Sequence, residues 1–195
     1  MRNEKLLFMT EAAVLTAAAL ILDLLSGFFI KMPQGGSLSL GMIPVFLMSF
    51  RWGLKGGLLT GLLTGILQPV LSTLYYVHPV QVILDYPLPF MLVGMSGLFA
   101  GWVHNSLKNG KWNNLIAVMA AALFGSVLRA VSHIISGVFF FGSLAPEGVP
   151  VMWYSIGYSA SWMVPSWILG GLSVWLIVQN SPSLIKPSDK KSASL

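Results

Sequence analysis

Residues 56–84 read GGLLTGLLTGILQPVLSTLYYVHPVQVIL, twenty-nine positions between Lys55 and Asp85 without a formal charge. A helix needs about 20 predominantly apolar residues to cross the hydrocarbon core of a bilayer. A second uncharged run, from Glu147 to Lys186, is longer still. With 55% hydrophobic and 9% charged residues and a mean hydropathy of +0.78, the chain lies far from the composition of a soluble domain. It reads as an all-α integral membrane protein. Backbone groups facing lipid must be satisfied internally, which leaves helices or a closed barrel. A barrel would need repeated ten-residue alternation, and the sequence lacks it.

Outward from that stretch, the hydrophobic pattern predicts six transmembrane helices at about 6–30, 38–50, 54–75, 80–104, 113–141 and 151–179. The second is short and contains Pro44, so a partial or tilted span also fits. The opening Met1-Arg2-Asn3-Glu4-Lys5 has the basic character of a signal peptide, but no short apolar region with a small-residue cleavage site follows, so the first run is kept as a span. On this topology Arg2, Lys5, Arg51, Lys55, Lys108, Lys111, Lys186, Lys190 and Lys191 share one side, and only Lys31 takes the other. The positive-inside rule then puts both termini in the cytoplasm. Residues 1–180 form a single six-helix membrane domain and 181–195 a cytoplasmic basic tail, whose lysines suit anionic lipid heads. The net charge of +5 marks orientation in the cell membrane and does not call for nucleic acid.

The absence of cysteine rules out disulfides, thiolate metal sites and cysteine nucleophiles. Gly110-Lys111 is followed by Trp112, so there is no Walker A loop, and neither a His-Glu-x-x-His nor a Gly-x-Ser-x-Gly motif occurs. No catalytic residue, metal site or cofactor is therefore assigned.

Gly53, Gly57, Gly61 and Gly65 recur every four residues and lay a bare face along the third helix. Such a face lets another helix approach closely, here within the same chain. Ala13 and Ala17 form a shorter stripe on the first helix, with docking on a separate membrane partner as its alternative use.

Asp85 with Tyr86, and Arg129 with His133, stand out in a chain with almost no other charge at membrane depth. Ionisable side chains are costly there and mark functional sites by default. Arg129, His133, Gly137 and Phe141 share a broad face of the fifth helix. Gly137 is expected to leave room beside His133. Tyr154, Tyr158 and Trp162 make a stripe on the sixth, with Ser155, Ser159 and Ser161 among them. The topology lets Tyr75, Asp85, Phe141, Tyr154 and Ser159 converge in the outer half of the membrane. Carboxylate, imidazole, rings and hydroxyls suit a small, flat, nitrogen-rich cation. A purely structural alternative stands beside this: an Asp85–Arg129 ion pair with an interfacial aromatic belt.

These residues resemble the thiamine-specific substrate-binding (S) components of energy-coupling factor (ECF) transporters, the ThiT/YuaJ group. The likeness runs from Thr10-Glu11-Ala12-Ala13 to the sixth helix. It is densest in Met32-Pro33-Gln34-Gly35-Gly36-Ser37, Ser49-Phe50-Arg51-Trp52-Gly53, His78-Pro79-Val80-Gln81 with Asp85-Tyr86, Leu128-Arg129 with His133-Ile134-Ile135-Ser136-Gly137, and Tyr154-Ser155 with Met163-Val164-Pro165-Ser166. The resemblance implies a six-helix subunit that captures thiamine from outside for ATP-driven uptake. Its implied partners are a transmembrane coupling (T) subunit and two cytoplasmic ATPases (A components).

Position by position, the resemblance implies that Asp85 is an acidic substrate ligand with Tyr86 beside it, His133 stacks on the ligand, Gly137 allows close approach and Tyr154 forms a hydrogen bond. Tyr75 takes an aromatic position before the fourth helix and Arg129 a basic one on the fifth. A second cation would repel a cationic ligand, so Arg129 is expected in a pairing or outer role. Ala13 and Ala17 match the docking motif for the coupling subunit. Two positions depart from the pattern. Phe141 stands where a tryptophan stacks and keeps a π face; Ser159 stands where an asparagine is frequent and loses the amide's paired donor and acceptor. An S component for another vitamin or a thiamine precursor is the nearest alternative. An enzyme acting on a polar lipid is the alternative of another class.

Overall fold

Repeated Leu, Ile, Val and Ala over uninterrupted runs give helices and nothing else of length. The computed structural model describes residues 4–29, 36–71 and 77–186. Its principal helices are α1 (Glu4–Phe29), α2 (Met42–Leu71), α3 (Pro79–Asp85), α4 (Pro87–Val93), α5 (Ala100–Ser106), α6 (Lys111–Phe140) and α7 (Val151–Asn180). Five stretches are long and apolar enough to cross a membrane: α1, α2, the composite run Pro79–Asn109, α6 and α7. Lys31, Tyr75 and the tail from 187 onward lie outside the described residues.

The expected second and third spans are joined in α2, and Gly53 separates them. Its φ of 66° and ψ of −156° are non-helical, a conformation that glycine reaches without a Cβ penalty. The bend is sharp. Residues eight apart in a straight helix are about 12 Å from each other, yet a Cβ on Gly56 would sit 2.9 Å from the Met48 carbonyl oxygen. The segment before Gly53 rises only about 16 Å, short of the hydrocarbon thickness, as the Pro44-containing stretch allowed.

The glycine stripe packs within the chain. The second half of α2 runs against the segment from Tyr86 to Gly97. A Cβ at Gly57 would lie 2.9 Å from the Cα of Gly94, and one at Gly61 3.0 Å from that of Met91. Gly53 belongs to this seam as its turn, with its carbonyl carbon 2.6 Å from where a Gly97 Cβ would stand. Lipid is as apolar as a core, so such contact is held by dispersion between closely fitted backbones and not by exclusion of water.

The predicted fourth helix is broken where the polar residues sit. His78 caps α3 by accepting from the Val80 N–H at 3.2 Å, and α3 stops at Asp85. Tyr86 takes φ −120° and ψ −78°, outside helical values. The ring of Pro87 disfavours helical geometry at the preceding residue and removes an N–H. A 3-10 segment, Gly94–Phe99, then leads into α5.

Phe46, Phe50, Phe90, Val93, Val118, Ala121 and Val174 are fully buried between α2, α4, α6 and α7. The outer surface is apolar too, with Val70, Trp112 and Phe139 more than 75% exposed. Exposed apolar side chains of this kind are what a lipid solvent calls for.

Candidate functional site

A cavity opens among α3, α6, α7, the end of α2 and the segment before α2. It gathers Asp85, Tyr86, Arg129, His133, Gly137, Phe141, Tyr154 and Ser159. Of the predicted set for the solute, only Tyr75 is not placed, because it lies outside the described residues. Ala13 and Ala17 are on the exposed side of α1, away from the cavity.

Asp85 ends α3, so its carboxylate projects from a helix terminus and not from a continuous wall. Gln81, one turn earlier, donates its Nε2 to Oδ2 of Asp85 at 2.6 Å. Its Oε1 accepts the Val77 N–H at 3.2 Å, which fixes the amide. His133 places Nδ1 3.2 Å from Oδ1 of Asp85. The imidazole edge meets the face of Trp162 at 4.9 Å between centroids and 78° between planes. Tyr154 and Tyr158, one turn apart on α7, also line the cavity, with centroids 6.3 Å apart. Phe141, just past the end of α6, lines it as well.

Four polar atoms of the lining residues have no hydrogen-bond partner among the described residues: Nε of Arg129, Nε2 of His133, Oγ of Ser155 and Nε1 of Trp162. Buried polar atoms are nearly always paired. Four such atoms around one cavity, beside a carboxylate and several rings, fit a solute that brings its own donors and acceptors.

Gly137 lines the cavity together with His133, and a Cβ there would lie 3.0 Å from Oγ of Ser155, so the glycine also lets α7 close on α6. The alternative in which Arg129 pairs with Asp85 does not hold. Nη1 of Arg129 donates to Oγ of Ser39 at 3.0 Å, and its guanidinium lies 4.2 Å over the Phe90 ring. Oγ of Ser39 in turn donates to Oδ1 of Asp23 at 2.5 Å. Asp23 is thus a charged residue at membrane depth that the first run conceals. Beyond the predicted set, the cavity also has Gly36, Ser37, Gln68, Gln81, Ser155, Tyr158 and Trp162 in its lining. The α7 members were legible, since 154, 155, 158, 159 and 162 are one helical face.

At the opposite end of α1, Glu11 accepts from Nη2 of Arg51 at 2.7 Å and from Nε1 of Trp52 at 2.6 Å. Arg51 also donates to the carbonyls of Ser183, Leu184 and Lys186 at 3.0–3.1 Å. The block around Arg51 therefore ties α1, the Gly53 turn and the segment after α7 together, outside the cavity lining.

Comparison with known proteins agrees with this geometry. The chain is 48% identical over 190 residues, 97% of its own length and 98% of the relative's, to the thiamine transporter ThiT of Bacillus subtilis strain 168. It is 30% identical over 200 residues, 99% and 97% of the two lengths, to the thiamine transporter ThiT of Lacticaseibacillus paracasei. The solved structure of ThiT from Listeria monocytogenes superposes with a TM-score of 0.86 at 27% identity, covering 95% of this chain and all of that one. The profile of one family, described as thiamine transporter protein (Thia_YuaJ), matches residues 9–186. The chain is a multi-pass membrane protein that belongs to the Thia_YuaJ family of thiamine transporters.

Proposed function

We propose that this chain is the thiamine-capturing S component of an ECF importer, with Asp85 as the counter-charge of the bound cation. The observation that carries the reading is the Asp85 carboxylate, held by Gln81 and His133 at the wall of an aromatic cavity. Thiamine is a flat cation with hydrogen-bonding edges. A carboxylate offsets its charge, and Tyr86, His133, Phe141, Tyr154 and Trp162 offer faces or edges for stacking and cation–π contact. Ser155, Ser159 and Tyr154 supply hydroxyls for the pyrimidine edge.

Both termini face the cytoplasm in this reading, supported by the one-sided basic residues, so the cavity opens outward. Energy comes from a separate coupling subunit and two ATPases. Support for docking lies on α1, where Ala13 and Ala17 are exposed among Leu6, Met9, Val14 and Ile21. Small residues on a free face allow the close approach of another helix.

Calorimetry on the purified protein tests the reading with thiamine against riboflavin and biotin. Saturable binding of thiamine alone is expected; no thiamine binding would overturn it.

A further inference from the structure

Two buried charges take no direct part in holding Asp85. Asp23 of α1 is 5% exposed and Arg129 of α6 is 4% exposed. They share one hydroxyl: Oγ of Ser39 donates to Oδ1 of Asp23 at 2.5 Å and accepts from Nη1 of Arg129 at 3.0 Å. Gln68 donates its amide to the other carboxylate oxygen of Asp23. The Ser39 backbone is pinned as well, its N–H donating to Oγ of Ser166 at 3.0 Å. Arg129 itself is part of the cavity lining, with its guanidinium 5.7 Å from the Trp162 ring.

A guanidinium cannot shed its proton in a protein, and a buried charge needs a counter-charge. Two carboxylates stand near the cavity, Asp23 and Asp85. The geometry gives Arg129 to Asp23 through Ser39 and leaves Asp85 with Gln81 and His133. The Arg129 and Asp23 charges then cancel, and the carboxylate facing the cavity stays uncompensated by the protein's own cation.

We propose that Asp23 is a specificity-determining residue: by neutralising Arg129 through Ser39, it keeps Asp85 free for a cationic ligand and so sets the cavity's preference for positive charge. Asp23 does not touch the ligand and acts as a positioning and charge-balancing residue. Without it, Arg129 repels the ligand cation and turns to Asp85 for its counter-charge. The proposal rests on the thiamine reading above, and its test compares two ligands of one shape.

The ligands are thiamine and its uncharged deaza isostere, in which carbon replaces the quaternary nitrogen. The quantity read is the ratio of their dissociation constants. The wild-type protein is expected to prefer thiamine. Asp23→Asn keeps the side chain's shape and an acceptor for Ser39. It should weaken thiamine by about tenfold or more, as an uncompensated charge in a partly buried site implies, and change the isostere by less than about threefold. Arg129→Gln should move the ratio the other way, raising the preference for the cation. The double variant Asp23→Asn with Arg129→Gln should return the ratio to near wild type.

Equal losses for both ligands in Asp23→Asn would overturn the proposal, since that is what a merely structural clamp predicts. Should that variant fail to fold with Arg129 stranded, Arg129→Gln decides: a raised ratio supports charge balance, and an unchanged or lowered one overturns it. Failure of the wild-type protein to bind thiamine at all would instead strike the function itself.

Discussion

Asp85 and His133 meet at the cavity wall with Oδ1 and Nδ1 3.2 Å apart, one at the end of α3 and the other about two turns before the end of α6. The break that Pro87 imposes after Tyr86 is what turns the carboxylate of Asp85 from lattice-like helix wall into a terminus. An acid there, with one hydrogen-bond donor from its own helix and one ring from another, is preorganised for a cation settling beside it.

Replacing that charge while keeping its shape separates ligand binding from structural pairing. Asp85→Asn retains an acceptor for Gln81 but loses the charge that balances the ligand. Hydrogen bonds to charged groups contribute about 1.5–3 kcal/mol, so thiamine affinity should fall roughly 10- to 100-fold. Ser159→Ala removes a neutral hydroxyl and should cost less than about tenfold. Titration calorimetry on both variants checks this, and equal small effects would return Asp85 to a structural role.

The seam between α2 and the segment from Tyr86 to Gly97 predicts a stability effect that does not depend on any ligand. A Cβ at Gly57 would lie 2.9 Å from the Cα of Gly94, backbone that cannot step aside. Gly57→Ala should therefore destabilise by about 1–3 kcal/mol, the usual cost of overpacking, and lower the melting temperature in detergent. Gly101→Ala is the matched control: a Cβ there meets nothing within 4 Å, and helix propensity favours the alanine. Thermal unfolding of the two variants should move in opposite directions.

Much of this was readable from residue order because lipid imposes length and apolarity on every span. The first, fifth and sixth predicted helices match α1, α6 and α7 to within about two residues, and Asp85 and His133 were found by the cost of ionisable groups at depth. Asp23 obeys the same rule yet escaped it. Its partners come from far along the chain, 16 residues away for Ser39, with Arg129 a further 90 beyond Ser39. No spacing rule links them, and only packing does. The turn at Gly53 falls in the connection expected between the second and third spans; what the four-residue glycine repeat did not signal is the positive φ, which has no periodic signature. Pairing Arg129 with Asp85 was the natural guess when both lay in adjacent predicted helices, and a third helix held the better partner.

The exposed alanines of α1 predict a split between binding and transport. Ala17→Trp adds bulk to a face that no described helix covers, while neighbouring Thr16 and Ala19 face inward and are left unchanged. Thiamine affinity in detergent should stay within about twofold, and thiamine uptake by cells carrying the variant should be lost if the coupling subunit docks there. Loss of binding together with uptake would place Ala17 in the fold instead.

Arg51 supplies a prediction at the other end of the molecule. Its guanidinium reaches Glu11 of α1 and three carbonyls after α7 at once, with only 16% of its side chain exposed. A planar fork with five donors is matched to such a set, and an ammonium is not. Arg51→Lys should keep the charge pairing with Glu11 but release most of the carbonyl contacts, and Arg51→Met should release all of them. Exposed ion pairs contribute little and this one is partly screened, so the losses should be graded at roughly 1 and 2 kcal/mol. The cavity lies outside this set of contacts, so thiamine affinity should change by less than about threefold in either variant. Melting curves and calorimetry on the same preparations check both halves of the claim. An affinity loss as large as that of Asp85→Asn would mean that the Gly53 turn transmits strain to the site.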